Sequence, residues 1–286
     1  MKNLSNDVVI HVENDIAYLQ YKKLLEYDDI IKHAYTLKKG NMDFSLHGSI
    51  ENYHDIVIEN YKKICGKLGL NYINVVRPYQ THTNNVQSIY GKINKDDIDI
   101  ALDELKDIDG VITDKKEIIL STLNADCILF LIFDPKNKVI ASVHSGWKGT
   151  LGKIIENTIN KMVEEYNSKP EDILVAISPS IRKCHFEVHD DVKIPYEETF
   201  KYTNRLNEII EPIGEVDGKQ KYKIDTVLVN KIMLIDMGIK EENILDCEIC
   251  SLCNCDQIHS RRGSNGGLFG VGTAMISLIQ KREQNV

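Results

Sequence analysis

Residues 124–150 read NADCILFLIFDPKNKVIASVHSGWKGT, and they form the centre of the predicted fold. Two apolar runs, 128–133 and 139–144, flank the turn-forming residues Asp-Pro-Lys-Asn-Lys. Short apolar runs on either side of such a turn predict a β-hairpin of two buried strands. The residues that follow, Gly-Trp-Lys-Gly-Thr, lead from the second strand into a predicted helix.

The register of this hairpin brings two ligand-type side chains together. If the turn contains an even number of residues, His144 lies opposite Leu129 and Cys127 lies opposite Gly146. Side chains alternate faces along a strand, so Cys127 and His144 then share one face as diagonal neighbours, roughly 7–8 Å apart. Zinc bonds of about 2.3 Å to sulfur and about 2.0–2.1 Å to nitrogen would let both reach one ion. A turn of odd length would place them on opposite faces.

His82 is the candidate for a third ligand. It lies on the turn-like segment 81–85, after a predicted strand at Tyr72–Val76. Three protein ligands and a water are typical of a catalytic zinc site, whereas four protein ligands close the site. Spacing alone does not place His82, and both residue types also occur as buried core groups. We name His82, Cys127 and His144 the ligand triad. That these residues bind a metal is a hypothesis, and the alternative is that they are ordinary buried residues of the core.

A second group of cysteines lies near the C-terminus, at Cys247, Cys250, Cys253 and Cys255. The Cys-x-x-Cys spacing of the middle pair is typical of half of a zinc site, and the outer two could complete it. Nine residues is a tight span for four ligands. Buried cysteines are commonly inert, so we favour the interpretation of this group as core thiols.

The rest of the chain mixes strands and helices without a regular βαβ alternation. Apolar periodicity predicts helices over 51–69, 154–166 and 224–237, and strands over 8–19, 173–178 and 242–249. This order predicts an α+β fold with mixed sheets. The acidic segment 91–109 is expected to be exposed. No linker marks a boundary, so 1–286 is expected to be a single domain.

Composition limits the class of partner and compartment. The formal net charge of −8 disfavours nucleic acid or an anionic membrane as the main partner. The N-terminus is polar, and the longest apolar run is too short to cross a bilayer. Seven cysteines, an odd number, without a secretory signal, indicate a reducing cytoplasm.

Several motifs together resemble one known family, the YfiH-type purine nucleoside phosphorylases, whose older name is the laccase-domain or polyphenol oxidase family. The match runs from about residue 30 to the C-terminus. The motifs are Gln80-Thr81-His82, Asn124-Ala125-Asp126-Cys127, Val143-His144-Ser145-Gly146-Trp147-Lys148-Gly149-Thr150, Ser178-Pro179-Ser180-Ile181, Cys184-His185-Phe186-Glu187-Val188, Cys250-Ser251-Leu252-Cys253 and Ser260-Arg261-Arg262.

The resemblance implies a fold, a metal and a reaction. The implied fold is an α/β/β/α-type sandwich with mixed sheets, distantly similar to cysteine hydrolase-like toxin domains. The implied cofactor is zinc held by His82, Cys127 and His144, and copper has also been attributed to the family. The implied activity is phosphorolysis of adenosine, inosine and S-methyl-5′-thioadenosine, with adenosine deamination. The expected partners are purine nucleosides and phosphate, with the protein a monomer or small homo-oligomer.

The same resemblance suggests roles for polar residues around the metal. Asp126 and Glu187 are candidates to carry protons, although Asp126 could instead point away from the ion. The cations that could bind phosphate are Lys148, Arg261 and Arg262, for which solvated surface charge is the alternative. Gln80, from the Gln-x-His element, is assigned to the substrate.

Three other interpretations remain open at this point. A multicopper oxidase needs many histidines, typically in His-x-His pairs, and this chain has nine histidines with no such pair. A hydrolase could use Cys127 as nucleophile and His144 as base. A non-enzymatic, zinc-stabilised binding module would need a fourth protein ligand.

Overall fold

The computed structural model describes residues 5–45, 53–91 and 103–280. Its strands are β1 Val8–Glu13, β2 Ile16–Tyr21, β3 Ile31–Thr36, β4 Val75–Val76, β5 Val86–Ser88, β6 Gly110–Thr113, β7 Ile119–Asn124, β8 Ile128–Asp134, β9 Val139–Ser145, β10 Leu174–Ile177, β11 Glu187–Val188, β12 Ile210–Val216, β13 Lys219–Ile224, β14 Ile244–Asp246 and β15 Gly272–Leu278. Its α-helices are α1 Lys22–Leu25, α2 Tyr53–Leu68, α3 Trp147–Leu151, α4 Ile154–Tyr166, α5 Asp190–Phe200, α6 Leu206–Ile209 and α7 Thr226–Asp236.

Two six-stranded sheets form the centre of the molecule. The first has the order β1-β2-β3-β15-β7-β4 and the second the order β14-β10-β8-β9-β6-β5. Most neighbours are antiparallel, but β4 runs parallel to β7, β5 to β6 and β14 to β10. Both sheets are therefore mixed, as the sequence predicts. A small antiparallel sheet, β11-β13-β12, accompanies them.

The sheets pack face to face, with helices on the two outer faces. One core cluster joins residues of both sheets, such as Leu120 and Ile276 from the first with Leu131 and Phe133 from the second. A second cluster joins the outer face of the second sheet to α4 and α7. A third joins the outer face of the first sheet to α2. This layering confirms the α/β/β/α sandwich.

The central hairpin has the expected even-length turn. Asp134 pairs with Val139, leaving four residues in the turn, and Leu129 pairs with His144. The buried Asp134 carboxylate holds the turn, because it accepts the backbone N–H groups of Lys136 and Asn137 at 2.9 and 3.1 Å. The register of the hairpin is thus confirmed.

The predicted bounds of helices and strands hold in part. The helix predicted over 154–166 is confirmed as α4, and Lys153, with a left-handed φ of 58°, separates it from the short helix α3. The expected strand over 72–76 begins as a 3-10 turn at Tyr72–Asn74, since the Asn71 side chain caps it. The predicted helix over 51–69 is α2; residues 51 and 52 lie outside the described residues.

The acidic segment 91–109 is expected to be exposed. In the described part of this segment, the expectation is wrong for two residues, which are buried. Residues 92–102 lie outside the described residues. Leu105 and Asp109 are buried. Asp109 is a charged group in the interior because it has several hydrogen-bond partners there. Within 5–45, 53–91 and 103–280, no helix is both long enough and apolar enough to cross a membrane.

Candidate metal centre

The three residues of the ligand triad meet at one edge of the second sheet. Cys127 directly precedes β8, His144 lies near the end of β9, and His82 lies on the loop between β4 and β5. Their ligand atoms all lie within 4.8 Å of one another, with Cys127 Sγ 3.8 Å from His82 Nε2. A tetrahedral zinc site holds such atoms about 3.5–3.8 Å apart. The triad therefore forms a group that could hold a metal ion.

Exposure across the triad is uneven. His144 is buried, Cys127 is half-buried and His82 is exposed. The rings of His82 and His144 meet edge to face, with centroids 4.8 Å apart. One side of the group thus opens toward solvent, as a site that must admit water or a substrate requires.

Asp109 connects two of the three ligands, and it is the residue that the sequence interpretation missed. Its carboxylate lies 2.7 Å from His144 Nδ1 and accepts the backbone N–H groups of Thr81, His82 and Thr83 at 2.8–3.2 Å. Its carbonyl oxygen accepts the backbone N–H of His144. One carboxylate therefore fixes both the His82 loop and the His144 ring.

The bond to Asp109 has a chemical consequence for His144. In the neutral ring, an Nδ1–H that donates to a carboxylate leaves Nε2 as the nitrogen able to bind a metal, and the ring orientation is fixed. Metal-bound histidines commonly donate the N–H of their other ring nitrogen to a carboxylate of this kind. Asp109 lies just before β6 with no motif around it, so only the fold reveals its position.

Gly146 leaves room for the side chains of His82 and Cys127. A Cβ at this position would lie 2.6 Å from His82 Cδ2 and 3.3 Å from Cys127 Sγ. The backbone is also strained beside the ligands, since His82 has a φ of 66° and Asp126 a φ of 90°. Non-glycine residues in this region are uncommon and concentrate at functional sites.

The triad is electrostatically suited to a thiolate. Burial alone raises the pKa of the Cys127 thiol, but the neighbouring His144 and His82 rings outweigh this and lower the pKa to about 6. Burial alone lowers the pKa of His144, but the Cys127 sulfur and Asp109 raise it to about 9. The thiolate is the form of cysteine that acts as a metal ligand or a nucleophile.

The Asp126 side chain is hydrogen-bonded to the loop between β14 and β15, here called the C-terminal loop. One carboxylate oxygen accepts the hydroxyls of Ser251 and Ser260 at 2.6 and 2.7 Å, and the other accepts the backbone N–H of Arg262 at 2.7 Å. Asp126 thus ties this loop to the residue next to Cys127. Its role as a proton carrier stays a prediction.

Glu187 and Arg262 lie close to each other. Glu187 is half-buried at the start of β11, with its carboxylate 3.4 Å from Lys221 Nζ. The exposed Arg262 guanidinium donates to the Glu187 carbonyl oxygen at 3.5 Å. A candidate proton carrier and a candidate phosphate-binding cation are therefore neighbours.

The remaining predicted substrate-binding residues differ in exposure and in the hydrogen bonds that their side chains already make. Lys148 is exposed, with its ammonium 5.5 Å from the Trp147 ring centroid, and Arg261 is exposed over Phe269. Gln80 is engaged: its amide donates to the Leu123 carbonyl oxygen and accepts the Leu123 N–H, both at 2.8 Å. The Gln80 side chain thus attaches the His82 segment to β7.

The structure divides the four C-terminal cysteines. Cys247 is fully buried, and burial raises the pKa of its thiol to about 12, as expected for a core thiol. Cys255 is exposed. Cys250 and Cys253 instead face the loop after β10. The favoured interpretation as core thiols therefore fits Cys247 but not the exposed Cys255. The alternative, in which Cys247 and Cys255 complete a ligand set with the middle pair, is wrong, because their side chains lie in other surroundings.

The sandwich and the Cys/His group at its sheet edge define a class of α+β protein able to hold a metal ion. The chain belongs to the family described as multi-copper polyphenol oxidoreductase laccase, whose model matches residues 34–279. The family resemblance seen in the motifs is thereby confirmed. Nothing in the described residues resembles a multicopper layout, since only two groups of three or more His, Cys, Asp or Glu bring their ligand atoms within 4.8 Å.

Individual relatives carry more specific names. The chain is 30% identical over 192 residues to purine nucleoside phosphorylase SERP0752 of Staphylococcus epidermidis, covering 67% of this chain and 68% of the relative. It is 30% identical over 214 residues to adenosine deaminase RL5 of an unknown prokaryotic organism, covering 74% and 79%. The crystal structure of Bacillus licheniformis hypothetical protein YfiH shares the fold, with a TM-score of 0.79, 23% identity and coverage of 94% and 98%.

Proposed function

We propose that this chain is a zinc-dependent purine nucleoside phosphorylase that acts on adenosine, inosine and S-methyl-5′-thioadenosine and also deaminates adenosine. One observation carries the proposal: a three-ligand Cys/His group, open on one side, lies in a chain whose relatives are named for these two activities. A Cys/His₂ set with a free position is typical of catalytic zinc.

The donor set fits zinc. Bound there, the ion would supply Lewis-acid activation of water or of a substrate oxygen. Cys127 contributes the thiolate, and Asp109 orients His144 so that Nε2 points at the shared position. His82 completes the set from the solvent side.

Charge around the site supports binding of an anion and movement of a proton. Arg261, Arg262 and Lys148 are exposed cations that could stabilise phosphate as it attacks C1′ of the ribose. Asp126 already accepts three hydrogen bonds from the C-terminal loop, so we favour Glu187 as the group that moves the proton.

The proposal is tested by incubating zinc-loaded protein with adenosine, with and without phosphate. Phosphorolysis gives adenine and ribose 1-phosphate only when phosphate is present, and deamination gives inosine and ammonia in either case. Inosine and methylthioadenosine are then assayed with phosphate. The nucleoside proposal fails if neither product forms.

A Cys127–His144 hydrolase is the second candidate, and the low pKa of the Cys127 thiol favours it. A metal-free assay separates the two. The zinc enzyme loses activity when a chelator strips the metal, whereas a cysteine hydrolase keeps or gains activity. A copper-linked phenol oxidase would instead purify with copper and consume oxygen with a phenol.

We also propose a location, a domain organisation and an oligomeric state for the enzyme. The seven cysteines are free thiols, which supports a cytoplasmic location. We propose one catalytic domain, present as a monomer or small homo-oligomer, with no nucleic-acid or membrane partner. Size-exclusion chromatography with light scattering tests the oligomeric state.

A further inference from the structure

A second group of ligand-type side chains lies away from the triad. Cys184 and His185 lie on the loop after β10, and Cys250 and Cys253 lie on the turn after β14. Since β10 and β14 are parallel neighbours, their carboxyl ends emerge side by side and bring the two loops together. These four residues are named the four-ligand cluster.

The distances within the four-ligand cluster match tetrahedral coordination. His185 Nδ1 lies 3.2 Å from Cys184 Sγ, 3.6 Å from Cys250 Sγ and 3.4 Å from Cys253 Sγ. All four ligand atoms lie within 4.8 Å of one another. Zinc with three sulfur ligands and one nitrogen ligand holds nitrogen and sulfur about 3.6 Å apart. One ring nitrogen thus faces three sulfurs at the separation that a shared ion requires.

The Cys-x-x-Cys turn that carries two of these ligands is held by a hydrogen bond of its own. The Asn254 amide donates to the Cys250 carbonyl oxygen at 2.9 Å, which closes the turn between Cys250 and Cys253.

We propose that Cys184, His185, Cys250 and Cys253 bind a second zinc ion in a closed, structural site. Four protein ligands leave no position for water or substrate, and Cys₃His is an established structural donor set. The inference does not depend on the proposed function, because it concerns a different set of residues.

The site would secure the loop that approaches Cys127. Ser251 lies inside the Cys-x-x-Cys turn, and its hydroxyl donates to Asp126, the residue before Cys127. The Ser251 N–H donates to the Ser180 carbonyl oxygen at 3.0 Å, joining the two ligand-bearing loops. A metal that clamps these loops therefore fixes the placement of Asp126.

The second zinc site is tested by measuring the number of zinc ions bound per chain. Protein purified without added metal is analysed by inductively coupled plasma mass spectrometry for zinc, copper and iron. We expect about two zinc ions per wild-type chain and about one in the His82→Ala variant, which leaves the four-ligand cluster intact. Cys253→Ser and His185→Ala should each lose one zinc ion, and Cys255→Ser, the neighbouring exposed cysteine, should keep both.

Cobalt provides an independent readout. Metal-stripped His82→Ala protein should take up one Co²⁺ with a strong thiolate-to-cobalt charge-transfer band, and this band should be lost on adding Cys250→Ser. Three results would overturn the proposal: no zinc in the His82→Ala protein, iron in place of the second zinc, or a disulfide among these cysteines in the non-reduced protein.

Discussion

The ligand triad and the four-ligand cluster are both made of cysteine and histidine side chains, but one forms an open group and the other a closed group. The triad draws three ligands from three separate segments and is exposed at His82. The cluster draws four ligands from two short loops. Ligand number decides what each could do, because three ligands leave a position for chemistry and four leave none.

The supports of the two groups differ as well. A buried carboxylate, Asp109, orients His144 in the triad, whereas the two loops of the cluster are held by hydrogen bonds to backbone carbonyl oxygens at Cys250 and Ser180. The carboxylate can be removed by one substitution. The carbonyl acceptors belong to the loops themselves, so the cluster depends on the fold of these loops.

The largest effect is expected from Cys127→Ser. Losing the thiolate removes one ligand of the triad, and with it several kcal/mol of Lewis-acid stabilisation, so activity should fall by more than about 1,000-fold. The zinc of the four-ligand cluster should remain. Nucleoside turnover and zinc content check this, with Cys255→Ser as the matched thiol control; full activity in Cys127→Ser would contradict the role of the triad.

A smaller effect is expected from Asp109→Asn. The amide keeps the shape of the side chain but not its charge, and loss of such an outer partner typically costs about 10–100-fold in metal affinity or activity. Competition with a chromogenic chelator measures the affinity. Glu104→Gln, an exposed position in the same segment before β6, is the control; equal effects in both variants would remove Asp109 from its assigned role.

Gly146→Ala should have a milder effect on the triad. The new methyl group meets the His82 ring, which must move from its place. We expect about a tenfold loss of metal affinity, a change of about 1.4 kcal/mol, and no change in the cluster. Gly66→Ala, where the added methyl group meets nothing within 4 Å, is the control. An unchanged affinity would show that His82 adapts freely.

The smallest effect on activity is expected on the cluster side, at Asp246. Burial alone raises the pKa of this carboxyl, but Arg182 and Lys231 lower it from 3.8 to about 2. A lowered pKa stabilises the fold above about pH 4, and about 2 kcal/mol of that is lost as the pH falls toward about 2.

Asp246→Asn should remove this acid-dependent part of the free energy of unfolding. Urea titrations between about pH 2 and pH 5 measure it. Glu208→Gln, which breaks an exposed pair with Arg205, is the control and should change little. If both variants keep the native pH dependence, the buried pair does not act as assigned.

The sequence predicted the parts of the molecule that depend on local order. Alternating apolar runs and an even-length turn placed His144 opposite Leu129 and brought Cys127 to the same edge. The mixed α+β class followed from the order of elements. The family motifs suggested His82 as a candidate third ligand, and the fold brings its side chain close to Cys127 and His144.

The rest depends on contacts between distant segments. Asp109 is a single acidic residue in an acidic stretch, and only the loop of His82 folding over it makes it a shared acceptor. Cys184 and Cys250 are far apart in sequence, and only the parallel pairing of β10 with β14 joins their loops. No periodicity within one segment carries that information.

The attachment of His82 and His144 to one buried carboxylate also bears on how the proposed site would take up its ion. Both histidines are held in place by the folded chain, so little conformational freedom would remain to be lost when an ion binds. The ion could then leave and be replaced without refolding of the chain.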